Sequence, residues 1–167
     1  TIVDINEDIL DNLRNDNLPF DEVNLEKYWK LAKNNNIKLS SKTKSINNSD
    51  FIVITLGSSS EIEDIKIFDS LINDVLQNAR PESKIILRST INIETIETIE
   101  TNELFIEKDL KLAYCPERLA EGMSLEELPT MPQIIGVKND EDFQIFHNFF
   151  DSINISSKKT TFKNAVF

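Results

Sequence analysis

The stretch 114–122, Tyr-Cys-Pro-Glu-Arg-Leu-Ala-Glu-Gly, contains the residue types and spacing best suited to chemistry. Glu117 and Glu121 lie four residues apart between a proline and a glycine, directly after a strand-like run. Two carboxylates on one edge of a short turn can hold a sugar and accept or orient a proton, provided that their pKa values suit the task. Arg118 is expected to pair with one of them and keep it ionised. The alternative interpretation is a solvated acidic turn, which the flanking proline and glycine make less natural.

Polar residues also follow the other predicted strands, where ligands bind in parallel sheets. Asp4 ends a strand-like run and precedes a helix. In a dinucleotide-binding fold, an acidic residue after the second strand accepts hydrogen bonds from the adenosine ribose. The alternative for Asp4 is a helix N-cap or a first-turn carboxylate.

Two further strand ends offer backbone and hydroxyl groups. Leu56, Gly57 and Ser58 begin a loop in which glycine permits close approach of a cofactor, although a simple polar loop explains the same residues. This loop is not a P-loop, because no lysine follows a second glycine. Ser89 and Thr90 end another predicted strand, where a hydroxyl can orient water or a nicotinamide ring; the alternative is an N-cap for the next helix.

The elements that must position these residues alternate along the chain. Apolar, β-branched runs predict strands, and apolar residues at helical spacing predict helices between them. This alternation indicates an α/β protein with a Rossmann-like, mostly parallel sheet and helices on both faces. The strand at 51–56 is predicted to be buried on both faces. Strands are predicted at 2–4, 37–40, 51–56, 84–88, 110–114, 133–137 and 153–156, and helices at 6–13, 24–34, 64–79, 93–103 and 140–150.

Composition narrows the function classes. The 167 residues suffice for one domain, and a net charge of -11 argues against nucleic acid and anionic membrane surfaces as partners. Cys115 is the only cysteine, so there is no internal disulfide, as expected in a reducing cytoplasm. Without an activating histidine or lysine nearby, Cys115 is expected to be a buried structural thiol. His147, the only histidine, is expected at a helix surface or core edge, which leaves no zinc cluster.

Taken together, four segments resemble the UDP-glucose/GDP-mannose dehydrogenase family, specifically its N-terminal NAD-binding domain. The Pro-Glu-Arg-x-x-x-Gly string is the specific element, and the order and spacing of the others match over nearly the whole chain. The four segments are Val-Asp-Ile-Asn at 3–6, Ile-Thr-Leu-Gly-Ser at 54–58, Arg-Ser-Thr at 88–90 and the 114–122 stretch.

The resemblance implies NAD-dependent oxidation of the C6 alcohol of a UDP-sugar to a carboxylate, in polysaccharide biosynthesis. Such enzymes use two NAD in two hydride transfers, through a thioester on a cysteine. Pro-Glu-Arg, rather than the Pro-Glu-Phe of typical UDP-glucose enzymes, implies UDP-N-acetylglucosamine or UDP-N-acetylmannosamine as substrate. Full-length members are expected to be homo-oligomers, in the cytoplasm.

The resemblance also implies roles for individual residues. Asp4 would hold the adenosine ribose, and Thr90 would position water near the nicotinamide. Glu117 would serve proton transfer or thioester hydrolysis. The NAD site would be lined by Leu56, Gly57, Ser58, Ser89 and Thr90. The sugar nucleotide would contact Glu117, Arg118, Leu119, Ala120 and Glu121, and Glu121 would also lie near the cofactor. The catalytic residues would be Thr90, Glu117 and Glu121.

The chain also departs from the family pattern. The Gly-rich strand–turn–helix that precedes the first strand-like run is missing, the Thr-Pro of the loop at 58–59 is replaced by Ser-Ser, and the nucleophilic cysteine is absent. We therefore expect residues 1–157 to form an incomplete NAD-binding domain that lacks the first strand, residues 158–167 to lead into a central helix, and this chain alone to be inactive. Two alternatives remain at this point: a non-catalytic nucleotide-binding or regulatory remnant, and an unrelated flavodoxin-like interaction domain.

Overall fold

A computed structural model describes residues 1–56, 62–119 and 122–166, which contain seven strands and eight α-helices. The strands are β1 (Ile2–Val3), β2 (Leu39–Ser40), β3 (Phe51–Ile54), β4 (Lys84–Leu87), β5 (Lys111–Tyr114), β6 (Gln133–Gly136) and β7 (Ser157–Thr160). The helices are α1 (Glu7–Arg14), α2 (Leu25–Asn34), α3 (Ile62–Asn78), α4 (Ile93–Glu100), α5 (Glu103–Glu107), α6 (Ser124–Glu127), α7 (Asp140–Ser152) and α8 (Phe162–Val166), with a 3-10 turn at Thr43–Ile46.

Five of the strands form one sheet in the order β3-β4-β5-β6-β7. Strands β3, β4 and β5 are parallel, β6 runs antiparallel to β5, and β7 is parallel to β6. In the register, Ile54 lies opposite Leu87, and Leu87 lies opposite Tyr114. The carboxyl ends of β3, β4 and β5 therefore lie side by side. Strands β1 and β2 pair in parallel as a separate two-stranded sheet.

The sheet has an apolar cluster on each face, because side chains of successive strand residues point to opposite sides. Ile85 and Leu87 of β4 pack into the cluster that includes residues of α3 and α4, whereas Ile86 packs into the cluster of α7. Phe146 and Phe150 supply the aromatic part of that second cluster. The predicted α/β fold, with a mostly parallel sheet and helices on both faces, is confirmed.

Local sequence determines where the helices begin and end. Asparagine side chains at four N-caps accept hydrogen bonds from backbone N–H groups that the first helical turn leaves unpaired. At the other end of α3, the Lys108 ammonium donates to three backbone carbonyls, which complements the negative end of the helix dipole. The N-caps are Asn6 for α1, Asn92 for α4, Asn102 for α5 and Asn139 for α7.

Several elements differ from the sequence prediction. The strand at 51–56 is not buried on both faces, because β3 lies at the edge of the five-stranded sheet and Val53 is 46% exposed. The helix predicted over 93–103 is two helices, since the Asn102 side chain caps a new one. The last strand occurs at Ser157–Thr160 rather than at 153–156, because Asn154 has a φ of 60° and cannot continue an extended strand.

None of the helices in the described part of the chain has the length and apolar character needed to cross a membrane.

Gly136 is needed for close packing rather than for a turn. A Cβ at this last residue of β6 would lie 2.8 Å from Cβ of Ala165 in α8 and 3.2 Å from the carbonyl oxygen of Thr161. Glycine therefore permits α8 to approach β6.

We expect Gly136→Ala to lower the free energy of unfolding by about 1–3 kcal/mol, because the added methyl overpacks this contact. Thermal unfolding measures the loss. The double variant Gly136→Ala/Ala165→Gly should recover part of it, since the closest clash is removed while the backbone contacts remain. An unchanged melting temperature for Gly136→Ala would show that α8 does not pack against β6.

Candidate functional site

Arg88 and Glu117 form an ion pair that joins the ends of two neighbouring strands. Arg88 directly follows β4, and Glu117 lies on the turn after β5. The Arg88 guanidinium donates through Nη2 to Glu117 Oε2. The register of β4 and β5 makes this contact possible, because Leu87 and Tyr114 end the two strands side by side.

Gln133, the first residue of β6, fixes the other arm of the same guanidinium. Its Oε1 accepts a hydrogen bond from Arg88 Nη1 at 2.5 Å, and the residue is only 6% exposed. Its Nε2 donates to the carbonyl oxygens of Pro116 at 3.4 Å and Ile134 at 3.0 Å. One polar network therefore connects β4, β6 and the turn after β5.

The Glu117 carboxylate is held in its ionised form. Partial burial acts to raise its pKa, but the hydrogen bonds from Arg88 and from the backbone N–H groups of Leu119 and Arg118, together with the charge of Arg88, outweigh burial, so that the pKa lies below its usual range. The two N–H groups donate to Oε1 at 2.9 Å and 2.8 Å. A carboxylate of lowered pKa is a good hydrogen-bond acceptor and a weak base at neutral pH.

The predicted ion pair of Arg118 is wrong for Glu117. Arg118 was expected to pair with Glu117 or Glu121, but its guanidinium donates to the carbonyl oxygen of Pro132 at 2.5 Å. Arg88 takes the place beside Glu117 because the strand register delivers it there from the neighbouring strand. Ala120 and Glu121 lie outside the described residues, so the pairing of Glu121 with its surroundings stays a prediction.

Ser89, the residue after Arg88, has a buried hydroxyl. The residue is 5% exposed, and its Oγ has no hydrogen-bond partner among the residues that the structure describes. A buried hydroxyl without a partner is costly, so Ser89 is a candidate to bind a group outside the described residues. Thr90 is exposed at the same strand end. The alternative interpretation of this pair as a helix N-cap is wrong, because Asn92 caps α4.

Asp4 follows β1, where its backbone N–H donates to the carbonyl oxygen of Ser40 at 3.1 Å. Its Oδ1 accepts a hydrogen bond from the backbone N–H of Asn6 at 2.8 Å, and Asn6 rather than Asp4 is the N-cap of α1. Leu56 packs against the apolar cluster beside α3. Gly57 and Ser58 of the predicted cofactor loop lie outside the described residues.

A contact far apart in sequence links the region after α1 to the region after the Glu117 turn. The Glu22 carboxylate accepts a hydrogen bond at 3.2 Å from the backbone N–H of Leu125 in α6. The structure thus places the loop that follows the Asp4 segment beside the short helix that follows the acidic turn. The hydrogen bonds of the candidate site join Arg88, Glu117 and Gln133, whereas those of Asp4 are with Asn6 and Ser40.

The interpretations of Cys115 and His147 are confirmed. Cys115 is fully buried, and burial raises the pKa of its thiol to about 12 against the small opposing effect of the Arg88 charge. His147 is half-buried at the core edge on α7, with Nδ1 2.8 Å from the Ser157 hydroxyl. Within the described ranges, no three histidine, cysteine or acidic residues are grouped in a way that could hold a metal ion.

Sequence reasoning missed the roles of Arg88 and Gln133. Arg88 belongs to the Arg-Ser-Thr segment that resembles the family, and an arginine directly before a Ser-Thr pair at a strand end is a usable signal. Gln133, a polar residue that begins an apolar run, gave a weaker one. Nothing in the sequence indicates that the two are partners, because 45 residues separate them.

A mostly parallel sheet whose polar residues lie beyond the carboxyl ends of its strands is typical of nucleotide-binding α/β domains. Residues 1–154 match the family model described as UDP-glucose/GDP-mannose dehydrogenase family, NAD binding domain. The chain belongs to this family, and its cofactor is NAD. The expected family is therefore confirmed.

Solved structures show the same fold. The chain superimposes on UDP-D-ManNAc dehydrogenase from Pyrococcus horikoshii with a TM-score of 0.88 at 18% identity, over 98% of this chain and 41% of that one. For UDP-N-acetyl-mannosamine dehydrogenase from Staphylococcus aureus the TM-score is 0.83 at 23% identity, with the same coverage of 98% and 41%. The chain thus spans about two fifths of the length of these structures. A comparison with curated protein sequences found no match.

One feature of the described residues fits NAD. The buried Ser89 hydroxyl lies at the strand edge where the fold binds nucleotides, and it has an unused capacity for hydrogen bonding within the described chain. A polar group of NAD would satisfy it. We expect Ser89→Ala to leave the free energy of unfolding of the cofactor-free protein unchanged or to raise it by up to about 1–3 kcal/mol, because an unpaired buried hydroxyl is removed.

Ser83→Ala is the matched control for Ser89→Ala. Ser83 is also buried, but its hydroxyl donates to the carbonyl oxygen of Ser49 at 2.9 Å, so its loss should cost about 1 kcal/mol. Urea unfolding measures both variants. A loss for Ser89→Ala equal to that for Ser83→Ala would show that the Ser89 hydroxyl has a partner in the chain.

The Cys115 thiol should be inert in the folded protein. With its pKa raised to about 12, the thiol stays protonated at neutral and mildly alkaline pH, and it is shielded from reagents. We expect no alkylation by iodoacetamide at pH about 8 in the native state and full alkylation in denaturant, measured by mass spectrometry. Rapid native alkylation would contradict the buried position.

Proposed function

We propose that the complete polypeptide containing this chain is an NAD-dependent UDP-sugar 6-dehydrogenase. It oxidises the C6 alcohol of UDP-N-acetylglucosamine or UDP-N-acetylmannosamine to the uronate, in the cytoplasm, as a homo-oligomer in polysaccharide biosynthesis. The observation that carries the proposal is the Glu117 carboxylate, held ionised by Arg88 where the strands end, in a chain that belongs to this family. The fold shared with two dehydrogenases named for UDP-N-acetylmannosamine supports the substrate class.

In this proposal the cofactor site uses the ends of β1, β3 and β4. Asp4 holds the adenosine ribose, and Ser89 donates or accepts a hydrogen bond at the nicotinamide half. NAD, when bound, accepts the hydride from the sugar. Leu56, Gly57 and Ser58 line the site, with Glu121 nearby.

The acidic turn receives the sugar. Glu117, as an ionised acceptor, binds a sugar hydroxyl or orients a water molecule that Thr90 also contacts. Because its pKa is lowered, Glu117 takes up a proton only when its pairing with Arg88 loosens. Leu119, Ala120 and Glu121 complete the contacts to the sugar nucleotide.

Arg118 directs the choice among UDP-sugars in this proposal. It is exposed, and its guanidinium holds the carbonyl oxygen of Pro132 on the segment that leads into β6. A guanidinium placed there can donate further hydrogen bonds to an N-acetyl group or a diphosphate. The Pro-Glu-Arg string supports this assignment by its resemblance to the N-acetylhexosamine branch.

The 167-residue chain alone is proposed to have no turnover. Its single cysteine is buried with a pKa of about 12, so it does not supply the reactive thiolate for a thioester. The domain limits predicted from the sequence, 1–157 and 158–167, belong to the same proposal.

The test uses the longest natural polypeptide that contains this chain. We expect NADH to form with UDP-N-acetylglucosamine or UDP-N-acetylmannosamine faster than with UDP-glucose, followed by absorbance. Glu117→Gln should lower kcat by roughly 10²–10⁴-fold, because a positioned carboxylate that handles protons or water is lost. Glu126→Gln, which changes an exposed carboxylate on nearby α6, is the control and should leave kcat unchanged.

Two results would contradict the proposal. Equal kcat values for Glu117→Gln and Glu126→Gln would remove Glu117 from the mechanism. Absence of NADH with every UDP-sugar, together with no heat of NAD binding in calorimetry, would instead support a non-catalytic remnant of the family.

A further inference from the structure

Arg88 is almost fully engaged inside the site, although it is a charged residue. Its side chain is only 13% exposed, and both terminal nitrogens donate hydrogen bonds. Nη2 contacts Glu117 and Nη1 contacts Gln133. A guanidinium with two occupied arms in one plane cannot swing freely, whereas a lysine ammonium would make a single flexible contact.

Gln133 is itself held from two directions. Its Nε2 donates to the carbonyl oxygens of Pro116 and Ile134, and its backbone N–H donates to the carbonyl oxygen of Ser156 at 2.8 Å. The Gln133 amide therefore has a fixed orientation, which places Oε1 toward Arg88. Because Pro116 precedes Glu117, the same amide also ties down the start of the turn.

Arg118 shows that adjacency in the sequence does not determine which guanidinium pairs with the Glu117 carboxylate. It is adjacent to Glu117, yet its side chain reaches Pro132 and contributes only its backbone N–H to the carboxylate. The charged groups of the described residues around Glu117 are Arg88, directly after β4, and Arg118 on the turn itself. The Cys115 thiol is protonated, Gln133 is neutral, and Leu128 and Met131 on the α6 side are apolar.

We propose that Arg88 is a positioning residue for Glu117, and that Gln133 sets the angle at which the guanidinium meets the carboxylate. The inference rests on the proposed role of Glu117 in sugar binding. In this arrangement Arg88 does not contact the substrate. It binds Oε2 while the backbone N–H groups of Arg118 and Leu119 bind Oε1, so that the ionised group is held in a fixed orientation toward the sugar.

The test is a carbon-13 NMR titration of the glutamate carboxyl groups in the full polypeptide, with Glu117→Gln identifying the Glu117 signal. Arg88→Gln should raise the pKa of Glu117 above its wild-type value, because burial then acts without the compensating charge. Arg88→Lys should shift it in the same direction by less. Gln133→Met, with Arg88 intact, should also raise it, since the guanidinium is no longer held in place.

Arg118→Gln is the matched control, an equal loss of positive charge from a neighbouring side chain. It should leave the pKa of Glu117 close to wild type, because the backbone N–H remains. Equal shifts for Arg88→Gln and Arg118→Gln, or none for Arg88→Gln, would overturn the inference. If Arg88→Gln does not fold, Arg88→Lys and Gln133→Met decide by the same criterion.

A second arm separates this inference from the proposed function. The Glu117 signal is followed as UDP-N-acetylglucosamine and NAD are added, with UDP alone as control. An Arg88-dependent pKa with no response to the UDP-sugar would support the positioning role and overturn sugar binding at Glu117. A response to the UDP-sugar that is the same in wild type, Arg88→Lys and Gln133→Met would overturn the positioning role and leave the proposed function intact.

Discussion

The site depends on the burial of β4 between two apolar layers. Ile85 and Leu87 face one layer and Ile86 the other, so the three residues after Lys84 in β4 are buried and apolar. The next polar residues along the chain are Arg88, Ser89 and Thr90, where the strand leaves the sheet. The same constraint acts on β5, whose end delivers the Pro-Glu-Arg turn. Because the two strands are parallel and in register, their polar ends meet.

Burial and charge give the polar residues that follow β4 and β5 different charge states and different exposure to water. Arg88 loses most of its contact with water and gains an anionic partner, whereas Glu117 stays about half exposed and can still reach a ligand. Solvent screens such a pair, so its value lies in geometry and in the charge state of the carboxylate more than in stability. Burial keeps the Cys115 thiol protonated, and the Ser89 hydroxyl has no hydrogen-bond partner among the described residues. The polar groups that follow β4 and β5 thus have distinct chemistry.

Much of the fold was predictable because it follows from local patterns. Apolar runs and helical spacing predicted the central strands β4 and β5 and the main helices, and the acidic turn was identified from its proline and glycine. The antiparallel direction of β6 was not predictable, since strand direction depends on contacts between distant segments. The Arg88 partner was missed for the same reason: 29 residues separate it from Glu117, whereas Arg118 is adjacent. The exposure of Val53 likewise depends on the position of β3 at the edge of the sheet, which its own residues do not encode.

The most direct measurement is a crystal structure of the longest natural polypeptide containing this chain, with NAD and a UDP-N-acetylhexosamine bound. We expect a polar atom of the nicotinamide half within hydrogen-bond distance of Ser89 Oγ, and the sugar against the free side of the Glu117 carboxylate, with Arg88 still paired to it. Both ligands at the opposite edge of the sheet, away from the ends of β4 and β5, would contradict the account.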